Sequence, residues 1–476
     1  MASAPDIQFG TDGWRAVIGD TFTFENVRRV AQATADHFAR APRGKIKLVV
    51  IGYDRRFLSN EFAASAAEVM AGNGFQVLLS TSPVPTPAVS WWVAQEKGRL
   101  GIMITASHNP ARFNGFKIKL HHGGPADVVT CRSVEAKLNE SPPKPVPLTS
   151  SRGKKLIRKR DLLPRYFSAL RRQVDMKSID QAQLDVAHDA MFGTGAGCFD
   201  GLLADTRCKI RTLNCEHDPN FGGISPEPIE KNYLVSSAIL QKQPADICLV
   251  TDGDADRIGG MSGTGRALTT HQIICLLLWH FLQHRKGQGR VVKALTTSSM
   301  VDNICIRHNL PLQEVGVGFK YICEEILKGG VLLGFEESGG VGVPHHLPER
   351  DGLLAGLLLL ECLAITGKPL NTLLEDLQHI YGLHTYGRVD ANFPLTKRTK
   401  LMQYAAERPP KDLLGAPLEK IQTFDGVKYT ARNGCWLMLR GSGTEPIVRI
   451  YAEAPTEHGV DVLLEQGNGM LARVDR

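Results

Sequence analysis

Three aspartates at alternate positions give the chain its sharpest chemical signal. Asp252, Asp254 and Asp256 follow the apolar run ADICLV in a glycine-containing loop. Carboxylates so close together repel one another, and a hard divalent cation with oxygen ligands relieves that repulsion. An EF-hand is excluded, because its sixth position needs glycine where this chain has Arg257 and its twelfth needs glutamate where it has Gly263. The loop predicts a magnesium or calcium site.

Ser107 is the candidate nucleophile. It lies in TASHNP, a polar turn directly after the apolar run GIMIT. A serine in this position can act as a nucleophile or phosphate carrier when a charged partner activates it. Taken alone, a serine beside Asn-Pro is more typical of ordinary turn chemistry. An Asp-x-Asp loop is also found in metal-dependent glycosyltransferases, so neither motif by itself defines the reaction.

Two further loops combine polar groups with glycine. The segment GFEESGG carries Glu336 and Ser338, which are able to bind sugar hydroxyls, although a turn that ends a strand explains the pattern equally well. The segment RGSGTEP, which begins at Arg440, is followed by Arg449. Guanidinium groups, hydroxyls and glycine-freed backbone amides form a phosphate-binding composition. We interpret the second loop as an anion site.

Apolar runs that alternate with helical patterns must position these loops. The runs are KLVVIGY, FQVLLS, GIMIT, LDVAHDA, ADICLV and GVLLGF. Their alternation predicts parallel α/β units whose strand ends carry the chemistry. The last hundred residues change to a small α+β pattern. A Pro/Lys/Ser-rich segment and softer composition changes predict four domains, at 1–150, 151–265, 266–380 and 381–476.

Composition limits the classes of partner. The chain has 43% hydrophobic and 22% charged residues and a formal charge of +7. It lacks a basic tract interleaved with aromatics, and its longest apolar runs are shorter than the roughly 18 residues of a bilayer span. The N-terminus does not resemble a signal peptide, and the ten cysteines show no zinc spacing. We expect a cytoplasmic protein that binds a small anionic substrate, with no nucleic acid and no membrane.

Five motifs together resemble the signature set of the α-D-phosphohexomutase superfamily, which includes phosphoglucomutases and phosphomannomutases. In order, they are FGTDGWR, TASHNP, DGDADR, FEESGG and RGSGTEP, and the match, which includes Arg449, spans residues 9–449. The resemblance implies three related α/β domains around a cleft and a C-terminal α+β domain. It also implies Mg²⁺ as cofactor, a hexose-phosphate substrate and glucose 1,6-bisphosphate as activator.

The resemblance further implies a role for individual residues. Ser107 would be the phosphoserine and, with Asp252, Asp254 and Asp256, a metal ligand. Lys117 would be the general acid/base, with Lys119 as its competitor two residues away. The other residues expected around the reacting phosphoryl group are Arg15, His108 and Arg257. The residues expected to bind substrate are Glu336, Ser338, Lys320, His346, Arg440, Ser442, Gly443, Thr444 and Arg449.

The sugar loop departs from common relatives. Phe335 stands where many have glycine, and GVGVPHH follows where some place a histidine directly after the loop. Glucose phosphate is the preferred substrate, ahead of mannose phosphate and glucosamine phosphate. A metal-dependent glycosyltransferase and a catalytically silent sugar-phosphate-binding protein are the competing hypotheses.

Overall fold

A computed structural model describes residues 7–10, 12–39, 47–442 and 446–475. The first sheet has the order β1-β5-β4-β2-β3-β6, with β2, β3, β4 and β6 parallel and β1 and β5 antiparallel to their neighbours. Its elements are β1 (Trp14–Val17), α1 (Phe24–His37), β2 (Leu48–Tyr53), α2 (Ser59–Gly72), β3 (Gln76–Ser80), α3 (Thr86–Gln95), β4 (Leu100–Ile104), β5 (Phe113–Leu120), α4 (Val128–Ala136), α5 (Ser151–Leu156) and β6 (Ile157–Arg160).

The second sheet has the order β11-β10-β9-β7-β8, in which β7, β8 and β9 are parallel. Its elements are α6 (Leu163–Arg171), α7 (Met176–Ala182), β7 (Asp185–Asp189), α8 (Cys198–Leu203), β8 (Lys209–Leu213), α9 (Leu234–Lys242), β9 (Ile247–Thr251), β10 (Ile258–Ser262) and β11 (Ala267–Leu268). Short 3₁₀ helices occupy Phe221–Gly223 and Glu230–Asn232.

The third sheet has the order β13-β12-β14-β15, with β12, β13 and β14 parallel. Its elements are α10 (Thr270–Gln283), β12 (Arg290–Ala294), α11 (Met300–Arg307), β13 (Leu312–Val315), α12 (Phe319–Leu327), β14 (Val331–Glu336), β15 (Gly340–Gly342), α13 (Gly352–Thr366) and α14 (Leu370–Tyr381).

The fourth sheet is antiparallel in the order β16-β21-β20-β19-β18-β17. Its elements are β16 (Thr385–Asn392), α15 (Arg398–Glu407), β17 (Asp412–Leu413), β18 (Ala416–Gln422), β19 (Val427–Ala431), β20 (Trp436–Gly441), β21 (Ile447–Ala454) and α16 (Glu457–Asp475), with a 3₁₀ helix at Leu395–Lys397. The predicted class, three α/β domains followed by a C-terminal α+β domain, is confirmed.

The first sheet extends beyond the limit expected from sequence. Strand β6 pairs in parallel with β3, although the predicted boundary at residue 150 assigned it to the second domain. Its sequence IRKR has three exposed basic residues and one buried apolar residue, so it carries no apolar run that would indicate a strand. The other predicted limits, at residues 265 and 380, stay predictions.

One apolar cluster joins the first three sheets. It includes Val50 and Trp92 from the first, Leu249 from the second and Leu333 from the third, all nearly or fully buried. Helix α13 lies within this cluster, and Asp351 caps its N-terminus by accepting a hydrogen bond from the Leu354 amide. The fourth sheet has a separate core against α15 and α16. The first three domains therefore share packing that the fourth does not.

Helix α13 and the next helix, α14, also bear on the question of membrane spans. Among the described residues, no single helix is both long and apolar enough to cross a membrane. Helices α13 and α14 meet that criterion together as a bent pair, by length and composition only.

Polar contacts dominate where the fourth sheet meets the third. Lys428 donates hydrogen bonds to the Leu295 carbonyl at 2.7 Å and to Glu314 at 3.2 Å. Asp425 accepts a 2.6 Å hydrogen bond from the Val317 amide. Burial alone would raise the pKa of Glu314, but Lys428 and neighbouring lysines lower it to about 2. Glu314 is therefore ionised in the folded protein at neutral pH.

We expect Glu314→Gln to destabilise the protein at neutral pH by about 2 to 3 kcal/mol, because Lys428 then loses its counter-charge. The folded-state pKa lies below the unfolded value, so this stabilisation is complete above about pH 4.5 and is lost as the pH falls towards about 2. Chemical unfolding of both proteins at about pH 7 and about pH 3 measures the difference. Glu96→Gln, in an exposed ion pair with Arg165, is the matched control. A difference that stays constant with pH contradicts this account.

Candidate active site

The serine loop is held in a strained and well-supported conformation. Ser107, just after β4, is buried and has a φ of +54°, in the left-handed region that few non-glycine residues adopt. Its amide donates a 2.8 Å hydrogen bond to the Thr105 hydroxyl, and its carbonyl accepts one of 2.6 Å from Arg56. Arg56 also donates to the carbonyls of Asn109, Pro110 and Phe113. One buried guanidinium therefore ties together four backbone carbonyls of the loop.

The serine hydroxyl faces the aspartate loop. Ser107 Oγ donates a 2.9 Å hydrogen bond to Asp252 Oδ2 across the boundary between the first and second sheets. Asp252 Oδ1 accepts hydrogen bonds from the amides of Asp256 at 3.0 Å and Arg257 at 3.2 Å, which fixes the turn after β9. Two motifs that are 145 residues apart in sequence thus form one site.

The three aspartates fit a hard divalent cation. One oxygen from each of Asp252, Asp254 and Asp256 lies within 4.8 Å of the others, and all three residues are buried. The Oδ1 atoms of Asp254 and Asp256 are buried without a hydrogen-bond partner, which is costly unless a ligand satisfies them. Burial and the charges of the other two carboxylates raise the pKa of Asp252 well above its usual range. A cation among these oxygens removes both costs.

Lys117, on β5, lies directly against this loop. Its ammonium is 2.8 Å from Asp12 Oδ2, 2.8 Å from Asp254 Oδ2 and 3.2 Å from Asp256 Oδ2. Burial favours the neutral amine, but the three carboxylates outweigh it and raise the pKa of Lys117. The side chain is therefore a cation that contacts two of the three candidate metal ligands.

Lys119 has a different set of partners. Its ammonium is 2.5 Å from Glu349 and 3.7 Å from Asp12. Both lysines are buried on the same face of β5, since alternate residues of a strand share a face. Lys117 contacts the aspartate loop directly, whereas the ion pairs of Lys119 run to Glu349 and Asp12. The spacing of the two lysines in the sequence does not show which of them contacts the aspartate loop.

Arg350 was not predicted, yet it links three domains. Its Nη2 is 2.8 Å from Asp12 and 2.8 Å from Asp256, and its Nη1 is 3.3 Å from Glu336. The guanidinium also lies over the Phe319 ring, at 5.4 Å. Burial lowers the pKa of an arginine, but these carboxylates more than offset it and raise the pKa of Arg350. Arg350 therefore connects Asp12 of the first domain with the aspartate loop of the second domain and the sugar loop of the third.

The predicted residues around the reacting group gather near the same point. Arg15 Nη1 donates a 2.5 Å hydrogen bond to the Asn109 side chain in the serine loop. Arg257 Nε lies 4.0 Å from Asp256, which is a loose ion pair. Burial, with the positive charges of Arg257 and Arg15, holds the pKa of His108 well below its usual value. His108 is therefore a neutral ring beside the serine at neutral pH.

The sugar loop ends β14 at the same edge of the cleft. Glu336 is buried and contacts Arg350, while Ser338 has a buried hydroxyl without a hydrogen-bond partner. Phe335, which directly precedes Glu336, is fully buried in the shared apolar core. The phenylalanine that distinguishes this loop from common relatives is therefore a packing residue.

Two other predicted substrate residues have local partners. His346 is 2.8 Å from the Asp351 carboxylate, which also accepts a 2.7 Å hydrogen bond from the Tyr166 hydroxyl. Lys320, at the start of α12, lies 5.1 Å from the centre of its neighbour's ring, Tyr321. The structure ties His346 to the helix cap of α13, and its predicted substrate role stays a prediction, as does that of Lys320.

The predicted phosphate loop connects β20 and β21. Arg440 Nε is 3.1 Å from Asp425, and Arg449 Nε is 3.6 Å from Asp390. Arg398 donates to the Ser442 carbonyl. Two further predicted members of this loop, Gly443 and Thr444, lie outside the described residues.

Three residues that complete the site were not singled out from sequence. Asp12 lies inside the FGTDGWR motif, of which only the arginine was considered, and Glu349 and Arg350 lie in the ERDG segment. Burial opposes ionisation of Asp12, but Lys117, Lys119 and Arg350 lower its pKa. A charged residue in a glycine-flanked motif was the available signal, but its partners lie in other domains and are not visible in a single sequence.

Sequence models of the phosphoglucomutase/phosphomannomutase family match nearly the whole chain. The three alpha/beta/alpha domain models match residues 6–144, 164–265 and 269–381, and the C-terminal domain model matches residues 397–466. The fold and the site thus define a sugar-phosphate mutase. The chain belongs to the phosphoglucomutase/phosphomannomutase family, whose members interconvert sugar phosphates, and the predicted resemblance is confirmed.

Individual relatives agree with this assignment. A phosphoglucomutase/phosphomannomutase from Thermococcus kodakarensis is 29% identical over 473 residues, covering 97% of this chain and 98% of its own. A phosphoglucosamine mutase from Acidothermus cellulolyticus is 30% identical and covers 100% of this chain and 97% of its own. The crystal structure of a Thermus thermophilus protein with a provisional phosphomannomutase description is 36% identical, with a TM-score of 0.87, covering 98% of this chain and 100% of its own.

We expect the aspartate loop to bind Mg²⁺ and Asp254→Asn to weaken that binding by more than about tenfold, because the substitution removes a charged oxygen ligand. Calorimetric titration of Mg²⁺ into each protein measures the affinity without any turnover. Asp180→Asn, which alters an exposed ion pair with Arg207, is the control. Equal Mg²⁺ affinity in wild type and Asp254→Asn contradicts the assignment of this loop.

Proposed function

We propose that this chain interconverts hexose 1-phosphate and hexose 6-phosphate, with glucose phosphate preferred, through a phosphoserine at Ser107. The hydrogen bond from Ser107 Oγ to Asp252 carries this proposal, because it joins the candidate phosphate carrier to the candidate metal ligands. A phosphate on this oxygen would lie beside the aspartate loop and Lys117. Such surroundings suit phosphoryl transfer, which depends mainly on positioning and on charge stabilisation.

The first transfer moves the phosphoryl group from Ser107 to the free hydroxyl of the sugar monophosphate. The bond between phosphorus and Ser107 Oγ breaks while a bond to the sugar oxygen forms. Asp252, Asp254 and Asp256 would hold Mg²⁺, which supplies positive charge to the phosphoryl oxygens when bound. Arg15 and Arg257 add fixed positive charge at the same place.

The transfer also moves protons, and Lys117 is the proposed acid/base. Its raised pKa keeps it protonated in the resting site, where it would give its proton to Ser107 Oγ as that oxygen leaves phosphorus and take up the proton that the sugar hydroxyl releases. In the return transfer the serine hydroxyl would give its proton to Lys117, and Lys117 would give one to the leaving sugar oxygen. The neutral His108 ring beside the serine suits a hydrogen-bond acceptor for the sugar hydroxyl.

The product of the first transfer is a sugar 1,6-bisphosphate, which must turn round before its other phosphate returns to Ser107. Glu336 and Ser338 are the proposed sugar-hydroxyl ligands, and the loop between β20 and β21 is the proposed grip for the phosphate that is not reacting. Added glucose 1,6-bisphosphate would activate the enzyme by restoring a phosphate to Ser107 whenever the intermediate escapes.

The sugar preference is the finer part of the proposal. Glucose phosphate is favoured because nothing in the loops is specialised for an amino group. Mannose phosphate and glucosamine phosphate are the alternatives, and the names of the relatives include phosphoglucomutase/phosphomannomutase and phosphoglucosamine mutase. Phe335 does not decide between them, since its ring packs in the core.

We expect conversion of glucose 1-phosphate to glucose 6-phosphate with Mg²⁺ and trace glucose 1,6-bisphosphate, and a loss of at least about 1000-fold in Ser107→Ala, which lacks the phosphate carrier. Mannose 1-phosphate and glucosamine 1-phosphate, assayed in parallel, rank the sugars. Ser168→Ala, an exposed serine on α6, is the control. Full activity in Ser107→Ala refutes the mechanism. Failure of all three sugars to react in the wild type favours a silent sugar-phosphate-binding protein.

Lys117→Met should lower kcat by about 100-fold or more, because it removes the proton donor next to the transferred group. Lys119→Met should lower kcat by less than about tenfold, since the ion pairs of Lys119 run to Glu349 and Asp12. Steady-state rates of the two variants, each shown to be folded by thermal unfolding, test this distinction. The opposite ranking would move the acid/base role to Lys119.

A further inference from the structure

A row of charged side chains crosses three strands of the fourth sheet. Asp390 on β16 is directly opposite Arg449 on β21, which is directly opposite Arg440 on β20. Arg388 precedes Asp390 by two residues and so lies on the same face of the sheet. Sequence reasoning considered Arg440 and Arg449 for phosphate binding, but neither residue of β16.

Asp390 holds two of these arginines side by side. Arg388 donates from Nε and Nη2 to the two oxygens of Asp390, at 2.7 and 2.8 Å, in a bidentate fork. Arg449 Nε lies 3.6 Å from the same carboxylate. Burial alone would raise the pKa of Asp390, but its hydrogen bonds to Arg388 outweigh that and lower it. Both guanidiniums are therefore anchored by a carboxylate that stays ionised.

The same face of the sheet turns towards the rest of the molecule. Trp436, Met438 and Tyr451 on this face pack against Leu295 at the end of the third sheet. Arg388 also acts on the sugar loop. Burial and the neighbouring Glu336 charge raise the pKa of Glu337, and the positive charge of Arg388 opposes that rise. The row of arginines therefore borders the cleft rather than the outer surface.

The charge of the row suits a phosphate. Arg388, Arg440 and Arg449 bring three guanidiniums to one row, where Asp390 and Asp425 form ion pairs with them. The side chains of Arg388 and Arg449 are 34% and 26% exposed, so both are partly accessible from outside the sheet. A phosphate dianion binds best where several guanidiniums converge with their orientation already fixed.

We propose that Arg388 is a third guanidinium ligand of the substrate phosphate that is not reacting, and that Asp390 is a positioning residue for Arg388 and Arg449. This rests on the proposed mutase function. Because this phosphate is bound alike in the ground state and in the transition state, loss of Arg388 raises KM and leaves kcat nearly unchanged. Loss of an ordinary solvated ion pair would change neither KM nor kcat.

The test compares Arg388→Ala, Arg388→Lys and wild type in the glucose 1-phosphate assay, and by calorimetric titration with inorganic phosphate. We expect Arg388→Ala to raise KM, and the Kd for inorganic phosphate, by about tenfold, with kcat within about twofold. Arg388→Lys keeps the positive charge but cannot form the bidentate fork. We expect its KM and its Kd for phosphate to lie between those of wild type and Arg388→Ala. Arg207→Ala is the matched control, because Arg207 forms a similar fork with Asp180 on the second domain.

Asp390→Asn separates positioning from simple charge. The substitution makes the site more positive, so an electrostatic effect alone would tighten phosphate binding. The positioning role predicts weaker binding and a higher KM, because the two arginines lose their shared anchor. A lower or unchanged KM in Asp390→Asn overturns the role of Asp390.

The outcomes distinguish this proposal from the proposed function. If wild type turns over, Ser107→Ala is inactive and Arg388→Ala keeps the wild-type KM, only the role of Arg388 fails. If wild type turns over none of the sugars, the mutase function fails, and the inorganic phosphate titration still tests the site. Equal phosphate affinity in wild type and Arg388→Ala then overturns it.

Discussion

The site depends on buried charges that no single domain can balance. Asp12 belongs to the first domain and Asp256 to the second, while the Arg350 guanidinium that contacts both comes from the third. Breaking one side of such a buried pair generally costs several kcal/mol, because the remaining charge loses its partner. The cleft is therefore stable only when the three domains are packed in their native arrangement. The geometry of the candidate site therefore depends directly on how the three domains pack together.

The fourth domain contacts the third mainly through polar groups. The first three sheets share an apolar cluster, whereas the fourth meets the third through Lys428, Glu314, Asp425 and a small aromatic patch. Polar interfaces of this kind reorganise more easily than a continuous apolar core. This arrangement suits the proposed mechanism, in which the same loop would bind the phosphate that is not reacting in both orientations of the intermediate.

Much of the architecture was accessible from sequence because it depends on local patterns. The six apolar runs became β2, β3, β4, β7, β9 and β14, and the motifs stand at the ends of β4, β9 and β14. Strand β6 was missed because its residues are basic. Asp12, Glu349 and Arg350 were missed because their importance lies in partners from other domains, which for Arg350 and Asp256 are 94 residues apart in sequence. Periodicity carries no information about such pairings.

The position of helix α13 has a consequence for synthesis on the ribosome. This helix packs against α7, β9 and β10 of the second sheet, yet it follows the last residue of β9 by about a hundred residues. At a translation rate of roughly 5 to 20 residues per second, the apolar face of the second sheet stays uncovered for several seconds, until α13 has been synthesised. Apolar surface exposed in this way is prone to aggregation, so over this interval aggregation of the nascent chain competes with its folding.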